Sequence, residues 1–482
     1  MFHFENTYAQ LPDIFFSPAQ PAKFPKPELI VWNEELARHL GAETTKYTQN
    51  DLVRFFSGQH ILPGSRPIAL AYAGHQFGHF VPQLGDGRAL LLGEIIDSQG
   101  KRHDLQLKGS GRTVFSRNGD GRAPLGPVLR EYLVSEGMHH LGLPTTRALA
   151  AVATGENVLR QKEYPGAVLA RVASSHIRVG TFEYVKTHGT DRDVKTLADY
   201  SIDRHYPEIS SEQNVYLSFL DRVFQNQVEL ITGWIAFGFI HGVMNTDNMS
   251  IAGETIDYGP CAFMDHFRFD QVYSFIDRYG RYSYANQAQI MLWNLSQLGE
   301  CLLPLIHPEK HTGKQMVEGL LNQTAKRFKQ RFTDRMRKKL GLFNALPQDK
   351  ELIQKWLTYL ESAGQDFTLG FHSLAKMLDE GNPTALFPPS AAFDDFYQQW
   401  RDRLQEQDAS PSAVQDQMLS VNPRIIPRNH QLEKVINAAE QGDYGPFHEL
   451  HHALQTPYGQ KESIYQHPPR AEERVQTTFC GT

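Results

Sequence analysis

Cysteine is scarce, with three in 482 residues. Cys261, Cys301 and Cys480 are too few and too widely spaced for a disulfide framework or a CxxC metal site. A reducing, intracellular compartment is the simple reading, and a cytoplasmic location is the expectation. Long apolar runs are missing too. The best, from Ile231 to Met244, is broken by Gly233, Gly238 and the His241-Gly242 pair, which argues against a membrane span. The opening MFHFENTYAQLPDIFF lacks a basic segment leading into an apolar core and a small-residue cleavage site, so no signal peptide is expected. There is no excess of positive charge: 48 Lys and Arg stand against 54 Asp and Glu, a formal net charge of -6. That argues against nucleic acid as the main partner. No Walker A loop and no clean GxGxxG fingerprint occurs, and no internal repeat or low-complexity tract stands out.

What is present is ordinary globular material, 40% hydrophobic and 21% charged, enough to bury a core without disulfides. Residues 1–65 are rich in Pro and aromatics (Pro18, Pro21, Pro25, Pro27) and suggest an extended arm followed by a short helix at Asn33–Leu40. Residues 66–185 alternate short apolar runs with Gly-rich turns. Strands are expected at Ala89–Ile96, His103–Leu107 and Ala167–Val172. One helix, roughly Leu125–Leu141, interrupts them and ends at Gly142 and Pro144. From Glu212 to Phe239 the apolar residues Leu220, Val223, Phe224, Val228, Ile231 and Ile235 repeat at helical period. Past about Gln287 the pattern is mostly helical and carries no Gly-rich loop.

The chemistry concentrates just after the amphipathic helix. His241-Gly-Val-Met-Asn-Thr-Asp247-Asn248-Met-Ser-Ile251 is followed by Gly253 and then by Thr255-Ile-Asp257-Tyr-Gly259. A kinase catalytic loop of the form H-x-D-x-x-x-x-N also follows a helix. Its Asn and the Asp of a later D-F-G triplet hold the metals that bridge the ATP phosphates. Here Asn248 stands at the Asn position and Asp257 at the D-F-G position, across a Gly-containing hairpin. An amide oxygen beside a carboxylate is the hard-oxygen donor set that Mg²⁺ needs. The usual catalytic Asp is Val243, which cannot accept a proton, and Asp247 is the nearest carboxylate to replace it. The alternative is that Asn-Thr-Asp-Asn is merely a polar turn.

Upstream, Asp104-Leu-Gln-Leu-Lys108 reads as a strand ending in a lysine, and Glu131 falls within the Leu125–Leu141 helix. A strand lysine held on the phosphates by a helix glutamate is a kinase requirement. The alternative is a surface lysine and a solvated glutamate. Three Gly and Arg clusters, Gly85-Asp-Gly87-Arg88, Gly109-Ser-Gly111-Arg112 and Asn118-Gly-Asp120-Gly121-Arg122, could cradle phosphate through backbone N–H groups and guanidinium forks, or could be hairpin turns. Arg171 and Arg178 could add positive charge to such a pocket, or could lie on the surface. His75 and His79 stand at i, i+4 but lack the Glu of a zinc-protease helix and carry Gly74 and Gly78, so they read as structural. The His139-His140 and His451-His452 pairs point apart on a helix and read as no metal site.

YAGHQFGHFVPQLGDGRA, LQLKGSGRTVFSRNGDGRAPLG, HGVMNTDNMSI and IDYGP together resemble the selenoprotein O family. The resemblance runs from about Ile68 to Pro260 and resumes at VNPRIIPRNH near residues 421–430 and at the tail. It implies an α+β, protein-kinase-like two-lobed fold: an N-terminal extension (1–65), a strand-rich N-lobe (66–185), a helical C-lobe (186–290) and a mostly helical C-terminal extension (291–482). It implies ATP bound in a flipped orientation, with AMP rather than the γ-phosphate passing to hydroxyl side chains of proteins. Mg²⁺ or Mn²⁺ would serve as cofactor. Carried over residue by residue, Lys108 contacts phosphates and Glu131 holds it. Gly85, Gly87, Arg88, Asp120, Gly121, Arg171 and Arg178 line the nucleotide site. Asp247 is the proton acceptor, and Asn248 and Asp257 are the metal ligands. Members often carry selenocysteine or cysteine third from the end, where Cys480 stands, which implies a redox role with Cys261 or Cys301 as partner. The expected partners are protein substrates and a nucleotide, with no nucleic acid and no membrane, and the chain is expected to be a monomer. The competing readings are a protein or small-molecule kinase that transfers the γ-phosphate and a catalytically silent nucleotide-binding pseudokinase. AMP against UMP transfer stays open.

Overall fold

Residues 102–108 alternate Asp104, Gln106 and Lys108 with Leu105 and Leu107, a period of two that puts polar groups on one face of a strand and apolar groups on the other. In the computed structural model, which describes residues 1–380, 387, 389–459 and 461–478, that strand lies at the centre of an eight-stranded sheet. The strands of the first 185 residues are β1 (Phe16–Pro18), β2 (Glu28–Trp32), β3 (Ile68–Leu70), β4 (Gly74–Gln76), β5 (His79–Val81), β6 (Ala89–Ile96), β7 (Arg102–Lys108), β8 (Ala123–Pro124), β9 (Arg147–Leu159) and β10 (Glu163–Ala173). The sheet order is β1-β3-β6-β7-β10-β9-β2, with β8 joined to β10; β4 and β5 form a separate hairpin. The central pairings are antiparallel and set Lys108 opposite Ala89 on one side and Leu169 on the other, with Arg171 opposite Gln106.

The expected strand Ala89–Ile96 is found with the same bounds, and the other two expected strands lie inside longer ones. The first 65 residues do not run as an arm beside the sheet. They supply both of its edges, β1 against β3 and β2 against β9. Their two helices, α1 (Glu34–His39, capped by the Asn33 side chain) and α2 (Gln49–Phe56, with a Thr48–Asp51 capping box), help cover one face. Leu105, Leu107, Leu90 and Leu92 share a core with Leu36, Leu52 and Phe56 on that side.

The polar face of β7 looks toward the helical part of the chain. Helix α3 (Leu125–His140) is buried nearly all round, because the sheet takes one side and two C-terminal helices, Asn429–Ala439 and Gly445–Leu454, take the other. Gly137 permits that approach: a Cβ there would lie 2.6 Å from the Pro427 ring. The VNPRIIPRNH segment fixes the contact. Buried Arg428 pairs with Asp265 and, at 2.8 Å, with Asp366, and the Asn429 side-chain amide oxygen accepts from Arg130 of α3 at 3.0 Å. After α4 (Val179–His188) and α5 (Asp191–His205), the amphipathic helix is α6 (Val215–Ala236), packed by α7 (Gln287–Ile306) and α8 (Lys310–Lys339).

The Gly-containing hairpin expected between Asn248 and Asp257 does not form among the described residues. Ser250 and Thr255 each bridge outward instead, to Arg178 and Thr145, with Gly253 turning the chain between them. Pairing with the sheet-side segments satisfies the same backbone groups that a hairpin would, and it ties the loop to both halves of the protein. Cys480 and its expected redox role lie outside the described residues. The chain before it is held at Thr478, whose N–H donates to the Tyr273 carbonyl at 2.8 Å and whose hydroxyl donates to the Pro260 carbonyl at 2.6 Å. Cys261 and Cys301 are both buried thiols. No described helix is long and apolar enough to cross a membrane.

Candidate active site

The polar stripe of β7 ends at Lys108, and the ammonium there bridges two carboxylates. Its Nζ donates to Glu131 of α3 at 2.6 Å and to Asp257 at 2.6 Å. Arg171, from β10, makes the same pair of contacts from behind, to Glu131 at 3.0 Å and Asp257 at 2.7 Å, and is itself held by the Gln106 side-chain amide oxygen. Arg178, at the start of α4, donates to the Asp257 carboxylate at 3.4 Å and to the Asp247 backbone carbonyl at 2.9 Å, with its guanidinium 4.2 Å above the Tyr72 ring. Burial alone would raise the Asp257 carboxyl, but Lys108, Arg171 and Arg178 outweigh it and hold the group well below the usual carboxylate range. Asp257 also has φ +62°, in the left-handed region that costs a non-glycine residue about 1–3 kcal/mol. Its three cationic partners offset that strain.

The loop before it is fixed from below. The His241 imidazole stacks on Trp234 and meets the Ile256 carbonyl at 2.9 Å. This contact links the start of the loop to the residue before Asp257. Thr246–Asn248 form a short 3₁₀ turn. Thr246 donates to Glu183 of α4 at 2.5 Å and accepts from the His75 N–H at 2.7 Å, while the His75 ring meets Glu183 at 2.6 Å. The β4–β5 hairpin is therefore structural, as its missing zinc-site Glu indicates, yet it also closes one wall. Gly74 makes this possible: a Cβ there would sit 2.2 Å from the Asp247 carboxylate. Asp247 is 7% exposed with a buried oxygen that has no hydrogen-bond partner among the described residues, and burial pushes its carboxyl up to about 7. The Asn248 amide nitrogen donates to the Val243 carbonyl at 3.0 Å, which uses the donor end of the amide within the loop.

These groups surround a cavity of about 430 Å³, within the size range of small-molecule sites. Its wall includes Gly87, Arg88, Lys108, Glu131, Arg171, Asp247, Asn248 and Asp257 from the expected set, with Val243 beside them. Arg178 stands behind the wall. Gly85 packs on Phe115 and Asp120 pairs with Arg160 at 2.8 Å; neither these two nor Gly121 is a lining residue, although Arg117 and Ala123 on either side of Asp120 and Gly121 are. Tyr72, Gln76, Phe77, Asp86, Arg117 and Asn245 also line the cavity, and sequence reasoning did not select them. Asp86 accepts from Gln106 at 3.0 Å, and burial pushes it up to about 6. The signal for Asp86 was its place between Gly85 and Gly87; for Gln76 it was the YAGHQFG run. Tyr72 opens that same run and Asn245 lies within HGVMNTDNMSI, so their signal was membership of those motifs.

A half-buried strand lysine held by a helix glutamate, an amide and a carboxylate on the same cavity wall, and backing arginines make a class of site suited to a phosphate-rich ligand and a hard cation. The sequence places the chain in one family of that class: residues 1–455 match the family described as Protein adenylyltransferase SelO, and the chain belongs to it. It is 50% identical over 488 residues to the Protein nucleotidyltransferase YdiU of Rhizobium rhizogenes (strain K84), covering 99% of this chain and 97% of that one. It is 50% identical to the protein of the same name from Bradyrhizobium sp. (strain BTAi1), covering 100% and 99%. Against the one from Agrobacterium fabrum (strain C58) it is 48% identical, with both chains covered in full.

Proposed function

We propose that this chain transfers AMP from ATP to hydroxyl side chains of proteins, within a protein-kinase-like arrangement of two lobes around the cavity. The observation that carries the reading is the meeting of Lys108, Glu131, Asn248 and Asp257, from four separate segments, around one cavity. Residues 66–185 form the strand-rich lobe, with Lys108 and Glu131, and 186–290 the helical lobe, with Asn248 and Asp257. Residues 1–65 complete the sheet, and within the C-terminal extension (291–482) the helices Asn429–Ala439 and Gly445–Leu454 buttress α3 from outside.

The residues fit a divalent cation. The Asp257 carboxylate stays ionised under three positive neighbours, and the Asn248 amide and Asp257 are both on the cavity wall. Mg²⁺ or Mn²⁺ held there would neutralise charge on the phosphates. Lys108 and Arg171 orient phosphate oxygens, and Glu131 keeps both cations aimed at the cavity rather than at solvent. With ATP flipped, the γ-phosphate lies deep, toward Arg171 and Arg178, and the pyrophosphate leaves toward those guanidinium groups. The α-phosphorus then faces the acceptor hydroxyl. Asp247 takes the proton of that hydroxyl, because Val243 cannot. Catalysis is chiefly positioning and charge stabilisation.

The test is transfer from labelled ATP to a mixture of proteins with Mg²⁺. Label from the α-position should become covalently attached, and label from the γ-position should not. Attachment of γ-label alone would replace this reading with a kinase, and ATP binding with no transfer would replace it with a silent nucleotide binder.

A further inference from the structure

We propose that His39, Asp97 and His103 form a second divalent-metal site, for a zinc-class ion, at the opposite end of β6 from the active-site cavity. Ala89, at one end of β6, lines the cavity, and Asp97 follows the other end. At about 3.3 Å per residue the two lie roughly 25 Å apart, so this is not an extension of the nucleotide site.

The site is built around one carboxylate. Asp97 Oδ1 accepts from the backbone N–H of Gln99 and of Lys101, each at 2.8 Å, and so shapes the turn into β7. That leaves Oδ2 facing outward to two imidazoles. His103 Nε2 lies 3.0 Å from it and His39 Nε2 3.8 Å. All three donor atoms lie within 4.8 Å of one another. The Asp97 side chain is fully buried, while His103 is 18% and His39 50% exposed. An ion pair with His103 would need no second imidazole on the same oxygen. Two backbone donors on the far oxygen are the outer support that orients a metal-binding carboxylate.

The geometry also suits the ion. Tetrahedral zinc with bonds of about 2.0–2.1 Å puts its donors roughly 3.3 Å apart. His103 and Asp97 already stand near that separation. His39, half exposed in the last turn of α1, is the ligand that swings in, and solvent supplies the fourth position. Two imidazoles and one carboxylate favour Zn²⁺, Ni²⁺ or Co²⁺ over Mg²⁺, the reverse of the oxygen donors in the cavity. Ligation would pin α1 to the turn that starts β7, the strand that ends in Lys108.

The test is a spectrophotometric titration of untagged, full-length protein with Co²⁺, with excess Mg²⁺ present to occupy oxygen-donor sites. One equivalent should bind and give the strong visible absorption of four-coordinate cobalt, and Zn²⁺ should displace it. Affinity should fall at least about tenfold in His39→Ala and in His103→Ala. Zinc should raise the melting temperature of the wild type and not that of His39→Ala, while Mg²⁺-supported transfer is unchanged in that variant. No visible band in the wild type, or equal cobalt affinity in wild type and His39→Ala, would overturn the proposal.

Discussion

The two ends of β7 present the same kind of chemistry and do different things. Asp104 at one end is enclosed. Its carboxylate takes the His176 backbone N–H at 2.8 Å, the His176 ring at 3.0 Å and the Arg204 guanidinium at 2.6 Å. Arg204 is tied in turn to the Ser174 carbonyl and the Tyr200 hydroxyl. Lys108 at the other end is paired just as tightly, with Glu131 and Asp257, but those three groups border an open cavity. Buried ion pairs by themselves are weak evidence of function. What separates the two clusters is the room in front of one of them, together with the strain at Asp257.

The comparison breaks or holds on three measurements. The largest effect is expected from Asp257→Ala. Transfer of AMP should fall by at least roughly 10²–10³-fold, with a cooperative melt retained, because Lys108 and Arg171 keep Glu131 as a partner and Arg178 keeps the Asp247 backbone carbonyl. Full activity in that variant would end the distinction. Next is Asp104→Ala, which strands buried Arg204 and should cost about 3–5 kcal/mol of stability in a urea titration. Activity per folded molecule should stay close to wild type. A stable Asp104→Ala protein with lost activity would reverse the roles of the two ends.

The smallest effect is on pH dependence. Burial, reinforced by the Arg204 charge beside it, pushes the His205 imidazole down to about 3, and burial pushes His176 down to about 4. Both fold neutral and take up a proton on unfolding below their ordinary range near 6.5. Stability is therefore full above about pH 6.5 and declines as pH falls toward those lowered values. Between pH 7 and pH 5 the loss should be on the order of 2 kcal/mol for each histidine, read as a lower urea midpoint. His205→Gln should flatten the slope. An equal midpoint at both pH values would show that the Asp104 end is open to water after all.

What could be read from the chain alone was local. The bounds of β6, the alternation along β7, the helix around Glu131 and the Asn248 and Asp257 motif are set by neighbours a few residues apart, and periodicity reports such preferences directly. Packing between distant segments decided the rest. Phe16–Pro18 is a strand because Ile68–Leu70 offers it an edge, and Gly74 matters because Asp247 passes close to it. Ser250 and Thr255 turn outward because Arg178 and Thr145 meet them there. α3 lost its exposed face only because the chain returns, some 300 residues later, to cover it with Pro427 and Asn429. Such contacts depend on which surfaces meet once loops have closed, and no short window of residues carries that energy.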